Sequence, residues 1–307
     1  MPMPVSSTQV LVLTTPELSP CLNATLIDSI TRALPKDAIV ASRWLCPGQA
    51  WELRFNADVD AGKGLHQEAK TSLADRPVDV NLLTDEGPDR RKKLLVADMD
   101  STIIEQECID EIADFAGVRA KVAEITERAM RGELDFAEAL ITRVALLKGL
   151  DEAVLEEIIE RRLTIMPGAT TLVRTMQAHG ARASLVSGGF GFFTSRIAQR
   201  VGFDTDQANQ LAISGGRLTG AVIPPILGRN AKREALIEHA RQLGIELNET
   251  LAVGDGANDL AMIREAGLGV AYRAKPIVAA EAKAAITHGN LTALLYLQGY
   301  ARDEFVE

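Results

Sequence analysis

Apolar positions along the chain follow two different patterns, which meet near residue 90. Through residues 1–85, short alternating runs are interleaved with helical spacing. "TQVLVLTT" predicts a strand, and "LNATLIDSITRAL" places Leu26, Ile30 and Leu34 at helical intervals. "AIVASRWL" and "AWELRFNA" predict two strands joined through Cys-Pro-Gly. "GLHQEAKTSLA" then predicts a helix and "VDVNLL" a closing strand. The order βαββαβ suits an antiparallel sheet with helices on one face, the ferredoxin-like arrangement. A polar linker follows at 86–92, and its basic run Arg90-Arg91-Lys92-Lys93 reads as solvated.

Over 93–307 the pattern is different. "KLLVAD" predicts a strand, and a helical block from about 109 to 165 carries no strand signal. Strand and helix signals then alternate: "ARASLVS" with "GFFTSRIAQRVG", "NETLAVGD" with "DLAMIREAG", "LGVAY" with "PIVAAEAKAAI". Such alternation predicts a Rossmann-like parallel sheet covered on both faces, here with a helical insertion. The predicted strands stop at Asp98, Ser187 and Asp255. In open α/β sheets ligands gather at the carboxyl ends of strands, so these polar stops converge on one crevice if the strands are neighbours.

Composition narrows the partners. The chain has 307 residues, 47% hydrophobic and 24% charged, with a net charge of −9. An acidic surface repels phosphate backbones, which argues against nucleic acid as the main ligand. Cys21, Cys46 and Cys108 are far apart, so neither a disulfide framework nor a zinc site is expected, and a reducing cytoplasm fits. No apolar run approaches the ~20 residues that span a bilayer, and "MPMPVSSTQ" lacks the makings of a secretory signal.

Four segments carry candidate chemistry. "DMDST" places Asp98 and Asp100 at the end of an apolar run, and "SLVSGGF" offers Ser187 with Gly188 and Gly189 before a helix. "GRNAKREALIEHA" sets Lys232 in the first turns of an amphipathic helix, and "AVGDGANDLAM" places Asp255, Asn258 and Asp259 in a glycine-bearing turn. Singly, each has a plain structural reading as a turn, an N-cap or a surface lysine. As an ordered set, DxD[ST], SGG, Lys and GDGxND resemble the haloacid dehalogenase-like superfamily of phosphotransferases.

The resemblance implies roles that phosphoryl-transfer chemistry makes sensible, since that reaction needs positioning and charge neutralisation above all. Asp98 would be the nucleophile, forming an aspartyl phosphate. Asp100 would be the general acid and base. Mg²⁺ would be held by Asp98, Asp255 and the backbone carbonyl of Asp100. Ser187, Gly188, Lys232 and Asn258 would contact the substrate, largely at its phosphoryl oxygens. Asp259 would orient Lys232 or a metal-bound water.

The helical insertion reads as the substrate-selecting cap. In "DFAEALITRVALLKG", Phe136, Leu140, Val144 and Leu147 form one apolar stripe along which Arg143 also lies. An arginine there either snorkels to water or clamps a carboxylate. Glu107, seven residues past Asp100, either sits exposed at a helix start or meets an ammonium. One cation and one anion beside a phosphate pocket make a receptor for a phosphorylated amino acid. Resemblance to the members of the superfamily that hydrolyse phosphoserine implies that Glu107 binds the amino group and Arg143 the carboxylate, with Met130 and Phe136 closing the cap. It also implies the last step of serine biosynthesis. Residues 1–85 are similar to the small ACT domain, for regulation or a homodimer contact. Two alternatives stay open: a phosphotransferase using another acceptor alcohol such as homoserine, and an inactive amino-acid-binding regulator.

Overall fold

The computed structural model describes residues 7–130, 133–228 and 230–307. Its first unit runs β1 (Ser7–Thr14), α1 (Ala24–Thr31), β2 (Ile39–Cys46), β3 (Ala50–Ala57), α2 (Val59–Ser72) and β4 (Asp79–Thr84). These strands form a four-stranded antiparallel sheet in the order β2-β3-β1-β4. Asn23 and Asp58 cap the two helices, each accepting a backbone N–H three residues on (Leu26 and Ala61). The central strand β1 is apolar without alternation because both of its faces are covered. Leu11 and Leu13 pack with Ile27, Ile30 and Leu65 of the unit's own helices. Val10 and Val12 instead join the core of the second unit.

The second unit begins with β5 (Leu94–Ala97), followed by the helical segment α3 (Cys108–Phe115), α4 (Arg119–Met130), α5 (Phe136–Ala145) and α6 (Ala153–Arg161). It continues through α7 (Ala169–Ala178), β6 (Arg182–Phe190), α8 (Gly191–Val201), β7 (Thr205–Ser214), β8 (Arg217–Ile223) and α9 (Ala231–Leu243). β9 (Thr250–Gly254), α10 (Leu260–Glu265), β10 (Leu268–Tyr272), α11 (Pro276–Glu281), β11 (Ala284–Ile286) and α12 (Ala293–Leu297) complete it. The sheet order is β11-β10-β9-β5-β6-β7-β8, parallel except for the β7–β8 pair. Alternate residues of β5 serve its two faces. Leu95 and Ala97 pack on the side of Ile112 and Leu172, and Leu94 and Val96 on the side of Leu236 and Met262. Each buried leucine contributes about 1.5–3 kcal/mol of hydrophobic stabilisation. At the base of α3–α6 the two connecting segments run side by side, with Glu105 N–H donating to Thr164 C=O and Met166 N–H to Ile103 C=O.

Three differences from the sequence reading have physical causes. β7 and β8 were not anticipated, because "TDQANQ" is polar and β8 carries Gly220. The alanine-rich "PIVAAEAKAAI" is not one helix. It stops at Glu281, and Ala284–Ile286 pairs with β10, tertiary pairing overriding local propensity. The basic run at 90–93 is not a solvated linker throughout, since Arg90 and Lys92 are buried. Arg90 pairs with Glu52 at 2.7 Å and donates to the carbonyls of Leu297 and Tyr296. Lys92 pairs with Glu86 and donates to Asn248 C=O.

The units are also joined along the edge strand β11. Asn81 of β4 donates to Ala285 C=O at 3.1 Å and accepts from its N–H at 2.8 Å. The Asp79 carboxylate accepts N–H groups from Thr287, His288 and Gly289. These side chains occupy an edge that would otherwise stand unpaired. Among the described residues no helix is long and apolar enough to cross a membrane.

Candidate active site

β5 ends at Ala97 and delivers Asp98 into the crevice at the carboxyl end of the sheet. The Asp98 N–H donates to Val253 C=O at 3.0 Å, continuing the β5–β9 ladder by one step. Its carboxylate accepts the Met99 N–H at 2.7 Å. The chain then turns sharply, with Ser101 at φ +56°, a left-handed conformation uncommon for a residue with a β-carbon and frequent at functional turns. This turn leaves Asp100 held from two sides. It accepts the Cys108 N–H at the start of α3 (2.9 Å) and the Ser187 hydroxyl (3.3 Å).

Ser187, Gly188 and Gly189 lie inside β6, where its register with β7 breaks between Val186 and Phe190. The helix begins at Gly191, at the start of "GFFTSRIAQRVG", and its N-cap is Phe190, so Ser187 does not cap it. The SGG segment is therefore a strand-end bulge. Gly189 N–H donates to Ser187 Oγ at 2.8 Å. A side chain on Gly189 would come within 2.9 Å of Asp100 Oδ2, and one on Gly188 within 2.9 Å of Phe136 Cζ. A side chain at either position would therefore displace Phe136 or the Asp100 and Ser187 side chains from where they stand.

Lys232, the second residue of α9, is buried, with only 4% of its surface exposed. Its Nζ lies 2.6 Å from Asp98 Oδ1 and 2.5 Å from Asp259 Oδ1. Asp259 is fully buried and also accepts the Gly256 N–H at 2.9 Å, which locks the turn after β9. Asp255, in the same turn, accepts a long bond from the Thr102 hydroxyl at 3.4 Å. Phe136, Ser187, Gly188, Lys232 and Asn258 line one cavity beside this cluster, together with Leu227 and Gly228.

Charge in the crevice is unbalanced. Burial by itself would depress Lys232, but the Asp259 and Asp98 carboxylates outweigh it and hold the ammonium protonated. Burial, and then the charge of Asp259, lifts Asp98 well above the usual carboxylate range against the pull of Lys232. Burial also lifts Asp100, against the hydrogen bond from Cys108. Asp255 is pushed up to about 6 by burial and the charge of Asp259. Among the described residues no cation lies within ion-pair distance of Asp255. Asp98, Asp255 and Asp259 each offer an oxygen within 4.8 Å of the others. Three carboxylates against one ammonium are the donor set and the charge deficit that a hard divalent cation would satisfy.

The helices over the crevice place the remaining candidates. Glu107 precedes α3 and accepts the Ser101 hydroxyl at 2.7 Å. Much of the residue is open to solvent, yet its carboxylate is pushed up to about 7, first by burial and then by the charge of Asp100. Arg143 in α5 is half-buried, and Nε donates to Ala139 C=O (3.2 Å) and Nη1 to Thr126 Oγ1 (3.4 Å). Of its five donors, three remain without a partner among the described residues. Met130 closes α4, but its side chain lies outside the described residues. Asn209 of β7 contacts the site, although nothing in the sequence singled it out. It donates to Gly188 C=O and accepts the Leu227 N–H.

With this geometry in hand, comparisons with known proteins become specific. Residues 95–264 match the haloacid dehalogenase-like hydrolase family. A protein named phosphoserine phosphatase from Polaromonas sp. is 50% identical over 210 residues, covering 67% of this chain and 89% of the relative. One from Vibrio cholerae is 41% identical over 269 residues, 82% of each chain. A crystal structure of a probable phosphoserine phosphatase from V. cholerae superposes with a TM-score of 0.77 at 34% identity, covering 97% of this chain and 88% of that one. The chain belongs to the haloacid dehalogenase-like hydrolase family.

Proposed function

We propose that this protein is a phosphoserine phosphatase, hydrolysing O-phospho-L-serine to L-serine and phosphate. The carrying observation is that two bonded pairs, Asp98 with Lys232 and Asp100 with Ser187, lie together at the ends of the neighbouring strands β5 and β6, under a segment that carries Glu107 and Arg143.

Asp98 attacks the phosphorus, and the ester oxygen leaves with a proton from Asp100, giving serine and an aspartyl phosphate. Asp100, now a carboxylate, takes a proton from water as the water attacks the phosphoaspartate, releasing phosphate and restoring the Asp98 carboxylate and the Asp100 acid. Its raised affinity for a proton suits the first step and its hydrogen bond from Ser187 aims it. Lys232 favours the ionised form of the nucleophile against its burial and, with Ser187, the Gly188 amide and Asn258, grips the phosphoryl oxygens. Asp259 holds Lys232 in place. Asp98, Asp255 and the Asp100 carbonyl would hold Mg²⁺, which supplies the positive charge that the carboxylates and phosphate lack.

Selection of the amino acid falls to the overlying helices. Glu107 gains an ammonium that relieves its acidic surroundings, and the free donors of Arg143 form a bidentate clamp for the substrate carboxylate. Phe136 closes over the ligand. Residues 1–85 form a docked domain joined through 86–92 to the catalytic residues 93–307, a cytoplasmic arrangement open to a homodimer contact. The deciding assay compares phosphate release from L-phosphoserine with release from phosphoethanolamine, which lacks only the carboxylate, with Mg²⁺ and with EDTA. Metal-dependent turnover strongly favouring phosphoserine supports the reading. Equal turnover removes the carboxylate clamp, and no release from either ester removes the phosphatase.

A further inference from the structure

Asn209 is 1% exposed, and both ends of its amide are engaged. Nδ2 donates to Gly188 C=O at 2.9 Å, and Oδ1 accepts the Leu227 N–H at 2.7 Å. Only this orientation works, since the reverse would set oxygen against carbonyl and NH₂ against N–H. Position explains the contacts. Val186 pairs with Gln207 and Phe190 with Asn209, so three residues of β6 face a single residue of β7. Ser187, Gly188 and Gly189 thus lack a regular ladder on that side. The side chain of Asn209 fills the gap.

A chain of bonds leads from it to the reacting groups. The Gly188–Gly189 peptide is gripped at its carbonyl by Asn209 and at its N–H by Ser187 Oγ. Ser187 in turn donates to Asp100. At its other end Asn209 holds Leu227, in the loop that leads into α9 and Lys232. We propose that Asn209 is a positioning residue that sets the plane of the Gly188–Gly189 peptide, and so aims Ser187 through the Gly189 N–H, while registering the loop that leads to Lys232 against it. This rests on the phosphatase reading above. Asn209 touches no substrate and acts on the part of the site common to all phosphate esters.

The test uses Asn209→Asp, which keeps the acceptor for Leu227 but turns an oxygen toward Gly188 C=O, and Asn209→Ala, which loses both bonds. Asn209→Ser, with a smaller cavity, carries the test if either variant fails to fold by thermal melting. The expected result is a kcat lower by about tenfold to a hundredfold, the scale of small displacements at a reacting centre. The loss should be equal on phosphoserine and phosphoethanolamine, and the acid limb of the kcat–pH profile should move. A folded variant with kcat within about twofold of wild type, or a loss confined to phosphoserine, overturns the proposal. Wild-type turnover reports separately on the phosphatase reading. Should wild type hydrolyse neither ester, orthovanadate affinity by calorimetry decides Asn209: a drop of about tenfold in a folded variant supports it, and unchanged affinity rejects it.

Discussion

Lys232 Nζ lies 2.6 Å from Asp98 Oδ1, and both residues are almost wholly buried. The contact joins the end of the first strand of the sheet to the start of a helix 134 positions later in the chain. Removing the ammonium would leave two buried carboxylates, Asp98 and Asp259, with no paired cation among the described residues. Lys232→Ala should therefore lose about 3–5 kcal/mol of stability, the range for breaking a buried pair from one side. It should also lower turnover of every phosphate ester alike. Chemical denaturation together with kinetics on two esters checks this, and preserved stability would show that the site relaxes around the missing charge.

Asp98→Asn should abolish phosphate release while the chain still folds. An amide is no nucleophile toward phosphorus, and it fits the same space beside Met99 N–H. A loss of three orders of magnitude or more is the expected scale for removing a covalent nucleophile. Residual turnover within tenfold of wild type would assign the attack to another group.

Arg143→Ala should raise KM for phosphoserine by about ten- to a hundredfold, the scale of one charge-assisted bidentate contact. Phosphoethanolamine, which offers no carboxylate, should be nearly unaffected. Parallel losses on both substrates would mean that Arg143 holds α5 through Ala139 and Thr126 and does not bind substrate.

Asp255 is pushed up to about 6 and Glu107 up to about 7, each chiefly by burial. Unfolded carboxylates titrate near 4, so between about pH 4 and 7 the folded protein binds more protons than the unfolded chain. Stability from these two groups is full below about pH 4 and is lost as pH rises through their folded values. Without metal, Glu107→Gln should flatten the decline in melting temperature between pH 5 and 8 relative to wild type. Mg²⁺ should raise the wild-type midpoint most at the alkaline end, and identical pH slopes for the two proteins in EDTA would refute the raised proton affinity of Glu107.

At the seam between the two sheets, Asp79→Ala would strip three backbone N–H groups of their acceptor. Buried unsatisfied donors cost about 1–3 kcal/mol each, tempered here by whatever water enters. A loss of a few kcal/mol with kcat unchanged is expected, by denaturation and steady-state assay. A fall in kcat would instead link the seam to the crevice.

Parts of this architecture were legible because the local signals are strong. "LLVA" and "LAVG" are continuous apolar runs since parallel strands are buried on both faces, and an acidic residue directly after such a run marks the open end of a sheet. The four segments carrying Asp98, Ser187, Lys232 and Asp255 could be found one by one, and their order named the family. Asn209 could not, because it sits in a polar strand where nothing distinguishes it from Gln207 or Gln210. Nor could the burial of Arg90, whose partners include Leu297, far along the chain.

What the sequence by itself determined is the set of chemical groups, the parallel sheet that aims them and the helical insertion above. These follow from hydrophobic periodicity and turn chemistry, which act over a few residues. What only the tertiary structure decided is which groups meet: Lys232 with both Asp98 and Asp259, Ser187 with Asp100, Asn209 with the SGG bulge, Asp79 with the edge of the larger sheet. The reason is physical. A hydrogen bond or ion pair between residues a hundred positions apart leaves no local period, and its partners are chosen only when the packed core fixes where each strand ends.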